Sequence, residues 1–163
     1  MFRQTSITRG LVLAVLTFAS CLTTPGTLRG SDEDANKLDG TWALTVPGTP
    51  FRINRTFFSN GTNVDASSFT PITQTPGALI DTDGHGAWTK TGPGQYAVTL
   101  LFFQLNPATG ALNTYGKVRE SVVINGDSYR GTFKTDIFLP NGTPIIHVGG
   151  TTEGHRIPVQ PAS

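Results

Sequence analysis

The chain has 163 residues, a length typical of one domain, and 37% of them are hydrophobic. Lys and Arg total 12 against 11 for Asp and Glu, and the basic residues do not cluster, so the charge gives no electrostatic reason to expect nucleic acid as a partner. The β-branched and aromatic residues are too abundant for a disordered chain.

Residues 1–21 have the pattern of an export signal. Arg3 and Arg9 precede an apolar run at 11–18, and the small residues Ala19 and Ser20 follow it. The run is far shorter than the roughly 20 residues that a membrane-spanning helix needs. The sequence therefore predicts an exported protein that resides in the periplasm or outside the cell.

The chain has one cysteine, Cys21, which stands at the end of this signal and leaves the domain without a disulfide. The stretch Phe18-Ala19-Ser20-Cys21 resembles the bacterial lipobox. The resemblance implies that Cys21 becomes the new N-terminus and carries lipid that anchors the protein to a membrane. The alternative is ordinary cleavage after Ala19, with Cys21 incidental.

Residues 22–37 are rich in Pro, Gly, Ser and Thr and show no periodicity, which indicates a flexible tether or a tail without a role. The domain is predicted at 38–158, with a short tail at 159–163. Within it, short β-rich runs alternate with turn residues such as Asn60-Gly61, Asn125-Gly126 and Asn141-Gly142. The predicted strands are 40–46, 51–58, a weak one at 78–81, 86–91, 95–105, 112–124, 128–138 and 143–152. Residues 64–76 are predicted to form a long loop.

This alternation of short strands and turns predicts an all-β fold: a single antiparallel up-and-down β-barrel of about eight strands. A sandwich would need more long crossover connections than the chain offers, and closure removes exposed strand edges. Strand 95–105 is apolar on both faces, so we expect it to be covered on both sides.

Alternation along the other strands directs two charges into the interior. Arg55 shares a face with Ile53 and Phe57, and Glu120 shares one with Val118 and Val122. A buried charge is tolerated when it is paired, so the two are predicted to meet or to line a polar patch in the lumen. The alternative is a β-bulge that shifts the register and turns both toward solvent.

The sequence Asp39-Gly40-Thr41-Trp42 opens the first strand. A Gly-x-Trp at this point, followed by an eight-stranded meander, resembles the calycin superfamily, the lipocalins and their relatives. The resemblance implies that Trp42 packs across the closed barrel end with Arg156 over its ring. The Thr-Asp-Tyr motif and C-terminal helix of lipocalins are missing, so the chain resembles a calycin-like barrel and small exported bacterial barrels of unassigned activity.

The stretch 81–88 is the densest in functional side chains, because it holds Asp83 and His85 between glycines. These residues suit a general acid or base. The alternative is a Gly-rich turn that leads into a strand near Trp88. No spacing of His, Asp, Glu or Cys indicates a metal site, and no motif indicates a cofactor.

Two functions fit these observations. In the first, the lumen binds a small apolar molecule against Arg55, Phe57, Phe102, Tyr129 and Phe133. In the second, the barrel is a cyclase or isomerase that uses Glu120, Asp83 or His85 as acid or base on an apolar substrate. A barrel filled by its own side chains, without a ligand, is a third possibility. The sequence favours the binding protein.

Overall fold

Residues 36–67 and 79–162 are described in the computed structural model of the chain, and they form nine β-strands. The strands are β1 (Gly40–Thr45), β2 (Arg52–Phe57), β3 (Thr62–Ser67), β4 (Ile80–Asp81), β5 (Gly84–Gly92), β6 (Gln95–Leu105), β7 (Leu112–Asn125), β8 (Ser128–Phe138) and β9 (Pro144–Arg156). No helix long and apolar enough to cross a membrane occurs within the described residues. The predicted signal at 1–21 and most of the predicted tether at 22–37 lie outside the described residues.

Eight of these strands close into an antiparallel up-and-down barrel, which confirms the predicted fold. Around the ring the order is β1-β2-β3-β5-β6-β7-β8-β9, and β9 pairs back to β1. The extra strand, β4, lies beside β6 ahead of β5, since Ile80 pairs with Leu105 and His85 pairs with Leu101. Tight turns with glycine at positive φ, such as Gly126, join the neighbouring strands.

Strand β3 is the element that the sequence pattern missed. Its polar residues Asn63 and Asp65 are buried, while Val64 is partly exposed and Ala66 is exposed. The usual alternation is therefore reversed, and a search for inward apolar residues reads the segment as a loop. The predicted loop at 64–76 is wrong for residues 64–67, and 68–76 lie outside the described residues.

The segment 81–88 is not a turn into a strand near Trp88, because β5 already begins at Gly84. Thr82 and Asp83 separate it from β4. A side-chain carbon at Gly86 would collide with the carbonyl oxygen of Thr99 on β6. This glycine therefore serves the close approach of two strands.

The outer face of β6 is not covered, contrary to the prediction. Tyr96, Val98 and Leu100 point into the barrel and are buried, whereas Leu101 and Phe103 on the other face are exposed. No described element packs against the outside of the barrel, so only the inner face of each strand has a core to join.

One end of the barrel is closed by its own side chains. The indole of Trp42 donates a hydrogen bond to the carbonyl of Leu38 at 2.8 Å, and its ring lies 5.6 Å from that of Tyr129. Arg156 covers Trp42 with its guanidinium carbon 4.4 Å from the ring centroid. The same arginine donates to the carbonyls of Lys37 and Asp39, so the segment before β1 is held across this end.

At the other end of the barrel, the strands on one side are longer than those on the other. Strands β6 to β9 have 11–14 residues, whereas β1, β2 and β3 have six each. Strand β9 pairs with β1 only from Glu153 to Arg156, so its first part projects beyond β1. We call the interior lined by the projecting ends of β6–β9 the open half.

Candidate functional site

A buried polar cluster occupies the middle of the barrel interior, and Arg55 on β2 is its centre. One terminal nitrogen of Arg55 pairs with the Glu120 carboxylate of β7 and donates to the Tyr129 hydroxyl of β8 at 3.1 Å. The other donates to Asp65 Oδ2 of β3 at 2.7 Å. Thr152 of β9 donates to the second oxygen of Glu120. These five residues are the polar cluster, and five different strands supply them.

Arg55 and Glu120 thus meet as predicted, and no register slip turns them outward. Both are buried, at 2% and 4% exposure. Gly131 makes room for the carboxylate, because a side-chain carbon there would collide with Glu120 Oε1 and Thr152 Oγ1. The pairing satisfies groups that would otherwise be costly to bury.

The electrostatics of the cluster follow from its burial. Burial raises the pKa of Asp65 more than the attraction and hydrogen bond of Arg55 lower it. Burial likewise raises the pKa of Tyr129. Burial by itself would lower the pKa of Arg55, but the negative charges around it, that of Tyr129 once ionised and those of Asp65 and Glu120, raise it. The guanidinium therefore stays charged, and the Tyr129 hydroxyl keeps its proton at neutral pH.

The open half carries apolar side chains that point inward yet remain exposed. Ile146 and Val148 pair with the buried Ile137 and Thr135, so they share the inner face of the sheet. They are nevertheless 49% and 51% exposed. An apolar surface that faces the lumen and stays open to solvent is a feature of binding sites.

Two phenyl rings adjoin this surface, and each covers a glycine of the neighbouring strand. Phe102 covers Gly116 on the neighbouring strand, and Phe133 covers Gly150, since a side-chain carbon at either glycine would collide with the ring. Both rings are partly exposed. Phe133 pairs directly with Glu120, so the apolar wall adjoins the polar cluster.

The remaining predicted site residues, Phe57, Asp83 and His85, lie outside the polar cluster and the open half. Phe57 is buried in the core, where its ring lies 6.4 Å from those of Trp88 and Tyr129. Asp83 and His85 are exposed, and His85 alternates with the buried Gly84 on the outer face of β5. The structure therefore does not bring Asp83 and His85 together with the buried Glu120 in one cavity.

Two grooves lie on the outer wall. The larger, of about 510 Å³, crosses β2, β1, β9 and β8 and is lined by polar side chains that include Arg52, Arg130, Glu153 and His155. The smaller, of about 320 Å³, lies beside Asp136 and His147, whose side chains are 2.6 Å apart. Tyr129 of the polar cluster lines the larger groove, but neither groove is lined by Arg55, Asp65, Glu120 or Thr152. Within the described ranges, no group of three or more His, Cys, Asp or Glu side chains is arranged to hold a metal ion.

Sequence reasoning missed three residues of this region: Asn63, Asp65 and Thr152. The first two belong to the unrecognised β3, where their spacing of two was the available signal. Thr152 is an ordinary strand residue until the barrel closes and places it against Glu120. Comparisons with protein-family models, curated proteins and solved structures find no match to this chain.

Proposed function

We propose that the barrel binds a small, largely apolar molecule in its open half, with the polar cluster at the floor of the site. The observation that carries this proposal is the exposure of Ile146 and Val148 on the inner face, beside a wall that includes Phe102 and Phe133. Ligand sites of this kind are mainly apolar, with a few polar groups placed to orient the ligand. Tyr129 and Arg55 supply such groups here.

A calycin-like relationship is consistent with ligand binding inside the barrel. Gly40 and Trp42 open β1, the meander closes after eight strands, and Arg156 lies over Trp42. Barrels of eight strands have an interior that is just wide enough for side chains or for one small ligand. The closed end here is filled, so the open half is where we place the ligand.

We also propose that the protein is exported and anchored through lipid on Cys21. The support is the pattern of residues 1–21, with two arginines, a short apolar run and the sequence Phe18-Ala19-Ser20-Cys21. An exported carrier near a membrane is well placed to meet apolar molecules.

The binding test uses a pair of valines of equal exposure on opposite faces of the sheet. Val148 faces the open half at 51% exposure, and Val123 on β7 faces outward at 54%. Binding of the neutral fluorescent probe N-phenyl-1-naphthylamine is titrated for the wild type, Val148→Lys and Val123→Lys. We expect Val148→Lys to weaken binding by about tenfold or more, because a charge replaces apolar contact area, and Val123→Lys to leave it unchanged.

Absence of saturable binding by the wild type contradicts the proposal, and so does an equal effect of the two lysines. Native mass spectrometry of the purified protein, followed by solvent extraction, then identifies any molecule that it carries.

A further inference from the structure

The charges of the polar cluster are unequal in number. It contains one cation, Arg55, and two carboxylates, Asp65 and Glu120. Both terminal nitrogens of Arg55 already bind these carboxylates. A third carboxylate entering this region would therefore meet two like charges and a cation that is already neutralised.

Four buried polar atoms, two in the cluster and two beside it, have no hydrogen-bond partner among the described residues. They are Arg55 Nε, Asp65 Oδ1, and both side-chain atoms of Asn63, Oδ1 and Nδ2. Asn63 is only 1% exposed, so its amide is removed from bulk solvent. A buried amide without a partner is costly, and native structures rarely keep one without a reason.

These atoms lie on one patch of the inner wall. Arg55 and Asp65 are directly paired across β2 and β3, and Asn63 precedes Asp65 by two residues on the same face. The patch offers two donors, from Arg55 and Asn63, and two acceptors, from Asn63 and Asp65. The Asp65 side chain, at 11% exposure, is less buried than those of Arg55 and Glu120.

We propose that the patch formed by Asn63, Arg55 and Asp65 binds an uncharged head group that both donates and accepts hydrogen bonds, a hydroxyl or a primary amide, and rejects a carboxylate. This inference rests on the proposed function and specifies its ligand: an apolar alcohol or amide. The mixed donors and acceptors match such a head group, whereas the two carboxylates repel an anion.

The test compares three ligands with the same eight-carbon length: octan-1-ol, octanamide and octanoate. Calorimetric titration of the full protein at pH 8 keeps octanoate charged. We expect octan-1-ol and octanamide to bind at least about tenfold more tightly than octanoate, as like charges across a buried contact require. Octanoate binding that is equal or tighter overturns the inference.

Two variants connect this preference to the named residues. Asn63→Leu removes the amide while nearly keeping its size, so we expect octanamide to bind about five- to tenfold more weakly with an unchanged or higher melting temperature. Asp65→Asn removes one negative charge, so we expect octanoate binding to strengthen. The matched control is Asn54→Leu, on the exposed outer face of β2. It should change neither the affinity for octanamide nor the affinity for octanoate.

The failure of this inference is distinguishable from that of the proposed function. If N-phenyl-1-naphthylamine binds and responds to Val148→Lys while none of the three ligands binds, the head-group inference fails and the proposed function stands. If no ligand and no probe binds, both fail. A lower melting temperature for Asn63→Leu together with an unchanged ligand preference marks Asn63 as structural and overturns its assigned role.

Discussion

Arg55 and Glu120 are separated by 65 residues in the chain and form an ion pair inside the barrel. Strand β2 supplies the first and β7 the second, and these strands are not neighbours in the sheet. The pair therefore spans the interior and, with Asp65 and Tyr129, joins opposite walls of the barrel.

Removing the cation from this pair should be strongly destabilising. We expect Arg55→Met to lower the free energy of unfolding by about 3–5 kcal/mol, because it leaves two buried carboxylates without a counter-charge. Urea denaturation measures the loss. The control is Arg119→Met, which breaks the exposed pair with Asp136 and should cost about 1 kcal/mol or less. Equal losses for the two variants would contradict a special role for the buried pair.

A combined replacement separates the ion pairs from the packing around them. In Arg55→Met/Asp65→Leu/Glu120→Leu no charge of the cluster remains. We expect most of the stability lost in Arg55→Met to return, because apolar side chains of similar volume often replace a buried ionic group without loss. Failure of the triple variant to recover any stability would indicate that the cost in Arg55→Met came from lost packing.

The raised pKa of Asp65 predicts a pH dependence of stability. The folded protein holds this proton more tightly than the unfolded chain, where the pKa is near 3.8. The stability that Asp65 contributes is therefore full below pH 3.8 and is lost as the pH rises through the higher folded pKa. We expect the stability of Asp65→Asn, relative to the wild type, to increase over this interval. Urea denaturation at a series of pH values checks it.

The pKa of Asp136, on the outer wall, is shifted in the opposite direction to that of Asp65. The hydrogen bond from His147, together with the charge of Arg119, lowers the pKa of Asp136 below its ordinary value. Its contribution is present above pH 3.8 and is lost as the pH falls through the lowered folded pKa. We expect the deficit of Asp136→Asn to shrink on acidification. If both Asn variants change in the same direction with pH, one of the two assignments is wrong.

The stability of the closed end and the shielding of Trp42 from water should depend on Arg156. Arg156→Met removes the contact with the Trp42 ring and the hydrogen bonds to the carbonyls of Lys37 and Asp39. We expect a loss of about 1–3 kcal/mol and a shift of tryptophan fluorescence to longer wavelength as water reaches Trp42. Arg130→Met on the exposed face of β8 is the control and should change neither. An unchanged emission spectrum in Arg156→Met would contradict the capping role.

The lipid anchor is tested by Cys21→Ser. If Cys21 carries lipid, the wild type should fractionate with membranes and its mature mass should include acyl chains, because two or more chains give stable anchoring. The serine variant should then lose the lipid and leave the membrane fraction. A wild-type protein that begins after Ala19, with an unmodified Cys21, would instead establish ordinary cleavage.

The sequence predicted the inward faces of β2, β7 and β8 because apolar residues alternate clearly there, and the two charges on those faces stood out. It missed β3 for the same physical reason. Asp65 points inward to Arg55, which binds its carboxylate, and Asn63 lies on the same face of β3; alternation of apolar residues does not report such a polar inner face. The predicted covering of β6 failed because periodicity shows which faces are apolar, not what packs against them.

Local sequence patterns predicted an all-β chain, the spacing of its strands and its tight turns, and they directed Arg55 and Glu120 inward unless a β-bulge shifted the register. These follow from local rules, since the side-chain period and the turn residues act over a few neighbouring positions. The folded barrel adds that Arg55 and Glu120 meet, that Asp65, Tyr129 and Thr152 join them, that His85 lies outside, and that Val148 stays exposed on an inner wall. Those facts depend on ring closure and on unequal strand lengths, which bring distant residues together in ways that no local pattern specifies.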